Sequence, residues 1–107
     1  MSVHEERIRL FVLDRGFVVI GRASISDELV HHWRLSVGRT VRVWGTTEGL
    51  AQLRDGPTPA TKLDVPTARL IPFRAVIDIL DVEQEPWESH LPPSERSSSR
   101  PARAKRV

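Results

Sequence analysis

The chain predicts a mainly β fold with one short helix, arranged as a small antiparallel barrel or strongly bent sheet of the SH3-like or OB-like kind. Three observations predict it. Five short runs are β-branched, aromatic or alternate apolar with polar residues. Clusters of Gly, Pro, Asp and Ser separate these runs. Only one stretch, around residues 47–54, carries helix start and stop signals.

Arg7 to Leu13 alternates, with Ile8, Leu10 and Val12 on one side and Arg7, Arg9 and Phe11 on the other. Asp14-Arg15-Gly16 supplies a turn in which Gly16 is free to take positive φ. Phe17 to Arg22 is apolar on both faces and reads as a central returning strand, with Ser24-Ile25-Ser26-Asp27 turning after it. Leu29 to Leu35 alternates as a strand, against a competing short helix from Ser26 or Asp27. Val37-Gly38-Arg39 reads as a turn, and Thr40 to Trp44 as a strand with Val41 and Val43 inward.

The helix signals follow. Thr46 or Thr47 offers an N-cap hydroxyl, Glu48 sits in the first turn, and Leu50 and Leu53 give an i, i+3 stripe. Gly56 fits the C′ position and Pro57 stops propagation. Gly49 weakens such a helix by roughly 0.5–1 kcal/mol relative to Ala. A Pro-rich loop over 57–66 precedes one long strand, Arg69 to Leu80, with Ile71, Phe73, Ala75, Ile77 and Ile79 on one face. Pro72 cannot donate to a ladder, which places it at an edge or bulge. Trp87 is the last large apolar anchor.

Domain organisation follows from composition. Residues 1–92 read as a single β-rich domain and 93–107 as a disordered basic tail. The net charge is +2. The tail holds Arg96, Arg100, Arg103, Lys105 and Arg106 against Glu95, so the rest of the chain is slightly acidic and a general basic face is not expected. The sequence contains no cysteine, which excludes disulfides, Cys metal clusters and a thiol nucleophile. No apolar run approaches the ~20 residues of a membrane helix. His4, Glu5 and Glu6 precede the first apolar stretch, unlike a signal peptide. The expectation is a soluble cytoplasmic protein without a membrane partner. About ninety residues bury only about 60–65% of their unfolded surface, so pairing into a homo-oligomer along the edge of Ile71–Ile79 is expected.

The most distinctive segment is Arg42-Val43-Trp44-Gly45-Thr46-Thr47-Glu48-Gly49-Leu50. A strand running into a turn and a helix N-terminus would expose backbone N–H groups beside two hydroxyls and the Arg42 guanidinium, a setting for a phosphate or carboxylate. Arg42, Trp44, Gly45, Thr46 and Thr47 are therefore the candidate ligand residues. The competing account has Trp44 in the core and the threonines as plain caps. No Lys follows the second glycine, so this is not a P-loop. His31 and His32 are adjacent and point to opposite faces of a strand, so they do not ligate one metal together. No serine sits in a nucleophile elbow. The reading is non-enzymatic, with no cofactor and no metal. The alternative is a nucleic-acid-associated protein that uses Arg96, Arg100, Arg103, Lys105 and Arg106 as a counterion-releasing arm.

The segments FVLDRGFVVIGR (11–22), RVWGTTEGLAQLRDGP (42–57), TKLD (61–64) and RLIPFRAVI (69–77) together resemble a family of small uncharacterised bacteriophage and prophage proteins. The resemblance spans roughly residues 9–88, and its Trp-Gly-Thr-Thr block is the most specific part. Many members carry two consecutive basic residues before the tryptophan, whereas this chain has Arg42-Val43. What the resemblance implies is a mobile-element protein in bacterial cytoplasm, and small accessory proteins of that kind mostly act by binding. Joined to the Thr46/Thr47 segment, this gives the expectation of a protein that acts on a host process, as an inhibitor of host defence, by binding a small anionic or nucleotide ligand or a host protein.

Overall fold

The computed structural model describes residues 5–93. Of the tail expected over 93–107, residues 94–107 lie outside the described residues. The sheet contains β1 (Arg7–Leu13), β2 (Val18–Ile25), β3 (His32–Val43), β4 (Lys62–Leu63), β5 (Thr67–Pro72) and β6 (Val76–Asp81). All pairings are antiparallel: β1, β2 and β3 form a meander, β6 returns to pair with β1, and β4 and β5 both pair with β3. The mainly β expectation holds. Of its two forms, the bent sheet is the one that appears, because β5 and β6 border opposite ends of the ladder yet are joined by only Phe73–Ala75. Among the described residues no helix is long and apolar enough to cross a membrane.

The first hairpin follows its sequence signals. Its turn places Arg15 and Gly16 at φ 69° and 84°, and the Leu13 N–H bonds the Phe17 carbonyl at 2.7 Å. β2 is buried on both faces and is central, as its two-sided apolar pattern predicts. It runs on through Ser24 and Ile25, where a turn was expected, and the turn starts at Ser26. The Ser26 hydroxyl accepts the N–H groups of Glu28 and Leu29.

Three further expectations are corrected. The strand expected from Leu29 starts at His32, and it does not turn at Val37-Gly38-Arg39 but continues to Val43. Gly38 lies opposite Gly21 on β2. A Cβ at either position would meet Leu35 Cδ2, at 2.6 Å from Gly21 and 2.8 Å from Gly38. The glycines mark a close approach at a bend, with register shifts beside them, rather than a reversal.

The long strand over 69–80 is likewise two strands. Pro72 ends β5, the Phe73 N–H bonds the His31 carbonyl at 2.8 Å, and a 3₁₀ turn of Phe73–Ala75 carries the chain to the far edge. The alternation loses phase there, so Ile71 is buried while Ile77 and Ile79 are exposed.

Two apolar clusters lie on the two faces of β1–β3. Phe11, Val19, Ala23, Trp33, Leu35 and Ile71 fill one side. Ile8, Leu10, Val18, Ile20, Val37 and Val41 form the other, covered by Leu53, Val82, Trp87 and Leu91. Trp87, on the single-turn helix α1 (Glu85–Glu88), is fully buried, and its Nε1–H donates to the Leu53 carbonyl at 2.9 Å. Burying an indole removes about 150–250 Å² from water, an upper-bound contribution of about 4–6 kcal/mol. The closing segment is tied down further by Arg22 Nε to the Leu91 carbonyl at 2.5 Å and Arg39 to the His90 carbonyl at 3.1 Å. Gln84 acts as a strand surrogate, accepting the Ile8 N–H at 2.7 Å and donating to the Ile8 carbonyl at 2.9 Å.

Arg9 was expected to face away from the apolar side of β1, and it does, yet it is buried. Its guanidinium donates to the Ala23 carbonyl and lies 5.1 Å above the Trp33 ring. Burial lowers its pKa from the usual arginine value; neighbouring Arg7 adds to that, and Asp81 opposes it.

Candidate functional site

β3 delivers the candidate residues in sequence: Arg42 and Val43 on the strand, then Trp44, Gly45, Thr46 and Thr47 in the loop beyond it. Trp44 is 42% exposed, whereas Trp33 and Trp87 are buried. The account that placed Trp44 in the core is therefore set aside. Val43, expected inward, is 46% exposed, and its Cα partner is Lys62 on the two-residue β4. So short a strand ends the ladder there and covers neither Val43 nor the indole.

The backbone beneath the indole is held firmly. Gly45 has φ 69°, and a Cβ there would lie 2.5 Å from the Thr61 nitrogen and 2.6 Å from the Ala60 carbonyl oxygen. Only glycine satisfies both conditions. Thr61 Oγ1 donates to the Trp44 carbonyl at 2.6 Å, and Thr58 Oγ1 donates to the Gly45 carbonyl at 2.7 Å. Thr58 and Thr61 thus position Trp44. The sequence signal was present, since two threonines flank a proline turn three residues apart, but the loop showed no partner for them.

The expected Thr-capped helix over 47–54 does not form. A six-residue 3₁₀ helix, Leu50–Asp55, begins after Gly49, whose φ of 96° and ψ of 179° are far from helical, and no side chain caps it. Gln52 Oε1 instead accepts the N–H groups of Thr47 and Glu48 at 2.9 and 2.8 Å. The open amides anticipated for an anion are filled by this side chain. The end of the helix follows its signals: Leu53 is buried, and Gly56 at φ 114° donates to the Leu53 carbonyl at 3.0 Å.

Arg42 is exposed, with Nε 3.4 Å from Asp64 Oδ1. An ion pair so accessible to water contributes little to stability and leaves the guanidinium available to a competing anion. Arg42, Trp44, Thr46 and Thr47 therefore belong to one short surface stretch, while His31 and His32 lie at the other end of β3. Among the described residues no group of three His, Asp or Glu side chains could hold a metal ion. Trp44 and Arg42 are thus two residues apart and both exposed, the indole on a backbone pinned by Thr58 and Thr61.

The class defined by these features is a small bent-sheet β protein with an exposed tryptophan in the loop after β3. No protein-family profile, curated protein or solved structure matches the chain.

Proposed function

We propose that this chain is a non-enzymatic binding protein of bacteriophage type that acts on a host process, its contact surface formed by Arg42, Trp44, Gly45, Thr46 and Thr47. The observation that supports this reading is the exposure of Trp44 beside the accessible Arg42. A large indole left half in water on a pinned backbone offers a base or other ring a flat face, and the guanidinium offers a phosphate two parallel donors. An anionic or nucleotide ligand uses both.

A panel of mono- and dinucleotides titrated by calorimetry, with intrinsic tryptophan fluorescence as a second readout on the parent and on Arg42→Ala, tests the reading. A nucleotide of this panel quenches the signal saturably, Trp44→Ala and Arg42→Ala each weaken its binding at least about tenfold, and Arg42→Ala shifts stability by no more than about 0.5 kcal/mol. Undiminished binding in both variants refutes the assignment of the site.

A second reading, a partner protein, is favoured by Gln52, which already occupies the amides of Thr47 and Glu48 and leaves the indole and guanidinium as the outward groups. Tryptophan and arginine are the side chains most enriched at protein hot spots. Failure of every nucleotide, with host-directed activity still lost in Trp44→Ala, selects it. The alternative that employs the basic tail predicts nucleic-acid binding that falls steeply with salt.

The proposed assembly is a homo-oligomer. β6 lies at the end of the sheet and exposes Ile77 (67%) and Ile79 (37%). Light scattering at tens of micromolar protein should report more than one copy, and a monomer refutes it.

A further inference from the structure

At the opposite end of β3 from Trp44, a cleft of about 450 Å³ is lined by Val30, His31, His32, Pro72, Phe73 and Arg74. Its walls come from two separate segments, the turn before β3 and the link from β5 to β6. They are tied together by the Phe73 N–H to the His31 carbonyl at 2.8 Å and by the two rings, whose centroids are 6.0 Å apart. The Phe73 ring is backed in turn by Trp33 at 6.1 Å, which packs on Phe11 at 5.3 Å. This aromatic series runs from the core to the floor of the cleft, so the floor is rigid.

Two further features set the cleft apart from ordinary surface. His31 holds φ 62°, a left-handed conformation that L-residues seldom adopt and that persists where the surroundings impose it. His32 is fixed by its Nδ1–H, which donates to the Val30 carbonyl at 2.9 Å. Arg74 is exposed and makes no hydrogen bond or ion pair among the described residues. A guanidinium free of protein partners at the rim of a cleft lined by three rings is complementary to a planar ring that bears a negative group.

We infer that this cleft is a second binding site, distinct from the Trp44 surface, for a small planar aromatic carboxylate or phosphate. Phe73 and the histidine rings take the ring, and Arg74 takes the anionic group. The size agrees, since pockets for small organic ligands run from about 300 to 1,000 Å³.

Benzoate and phenyl phosphate are the probes, titrated in separate arms into the full-length ¹⁵N-labelled protein up to about 20 mM. Probes of so few atoms in an open cleft are expected to bind in the millimolar range, which sets the upper concentration. The expected result is saturable shifts confined to the amides of residues 30–32 and 73–75 with at least one of the two anions, which also shows whether carboxylate or phosphate is preferred. Arg74→Ala, at an exposed position without structural partners, weakens that binding about tenfold or more. Benzyl alcohol, with the ring but no charge, is weaker by a similar factor. The inference is overturned by the absence of localised shifts with both anions, by equal affinity in Arg74→Ala, or by benzyl alcohol binding as well as the anions.

Discussion

Replacing Gly45 by alanine tests whether the loop that carries Trp44 is held by close backbone approach. Two costs add at this position. The first is conformational: φ of 69° in an L-residue costs roughly 1–2 kcal/mol. The second is steric, because the new Cβ would lie 2.5 Å from the Thr61 nitrogen and 2.6 Å from the Ala60 oxygen, and both are backbone atoms that cannot rotate away. The loop must separate from residues 58–61, losing the bonds from Thr61 to the Trp44 carbonyl and from Thr58 to the Gly45 carbonyl. At about 1 kcal/mol each, these add about 2 kcal/mol.

Gly16 is the control. Its φ is 84°, and nothing lies within 4 Å of an added Cβ, so Gly16→Ala carries only the conformational cost. Urea denaturation of the two variants should separate them by about 2 kcal/mol, with Gly45→Ala the less stable at about 3–4 kcal/mol below the parent. A domain of this size has only about 5–15 kcal/mol in total, so the difference is readily measured. Equal destabilisation of the two variants would refute the close-approach argument.

Two other substitutions have expected outcomes. Trp87→Phe removes the donor to the buried Leu53 carbonyl and part of the indole volume, and should cost about 2–4 kcal/mol by denaturant titration; a loss below 1 kcal/mol means that the closing segment adds little to the core. Arg15→Gly relieves a left-handed residue at an exposed turn and should stabilise by up to about 1 kcal/mol, read as a rise in melting temperature; a fall contradicts the strain.

Much of this protein was legible from local pattern. The first hairpin, the central position of β2, the turn at Arg15 and Gly16 and the stop at Gly56-Pro57 depend on side-chain alternation and on φ preferences confined to a few residues, and all appear where those rules put them. The candidate loop could be located for the same reason, since Gly45 and the residues around it form an uncommon block. The tertiary structure decided everything that depends on a distant partner. Gly38 reads as a turn until Gly21 and Leu35 are seen across from it, and it then becomes a bend in one long strand. The alternation over 69–80 conceals a break between two strands that run in the same direction at opposite ends of the sheet, because a three-residue 3₁₀ turn changes its phase without interrupting the apolar pattern. Thr46 and Thr47 look like caps, but Gly49 takes a conformation that no helix contains, and Gln52, five residues beyond Thr47, takes the amides in their place. Whether Trp44 is core or surface follows from the shortness of β4, which ends before it covers the indole. Alternation and φ preference are properties of neighbouring residues and can be read along the chain, whereas burial and close approach are properties of pairs that only folding brings together.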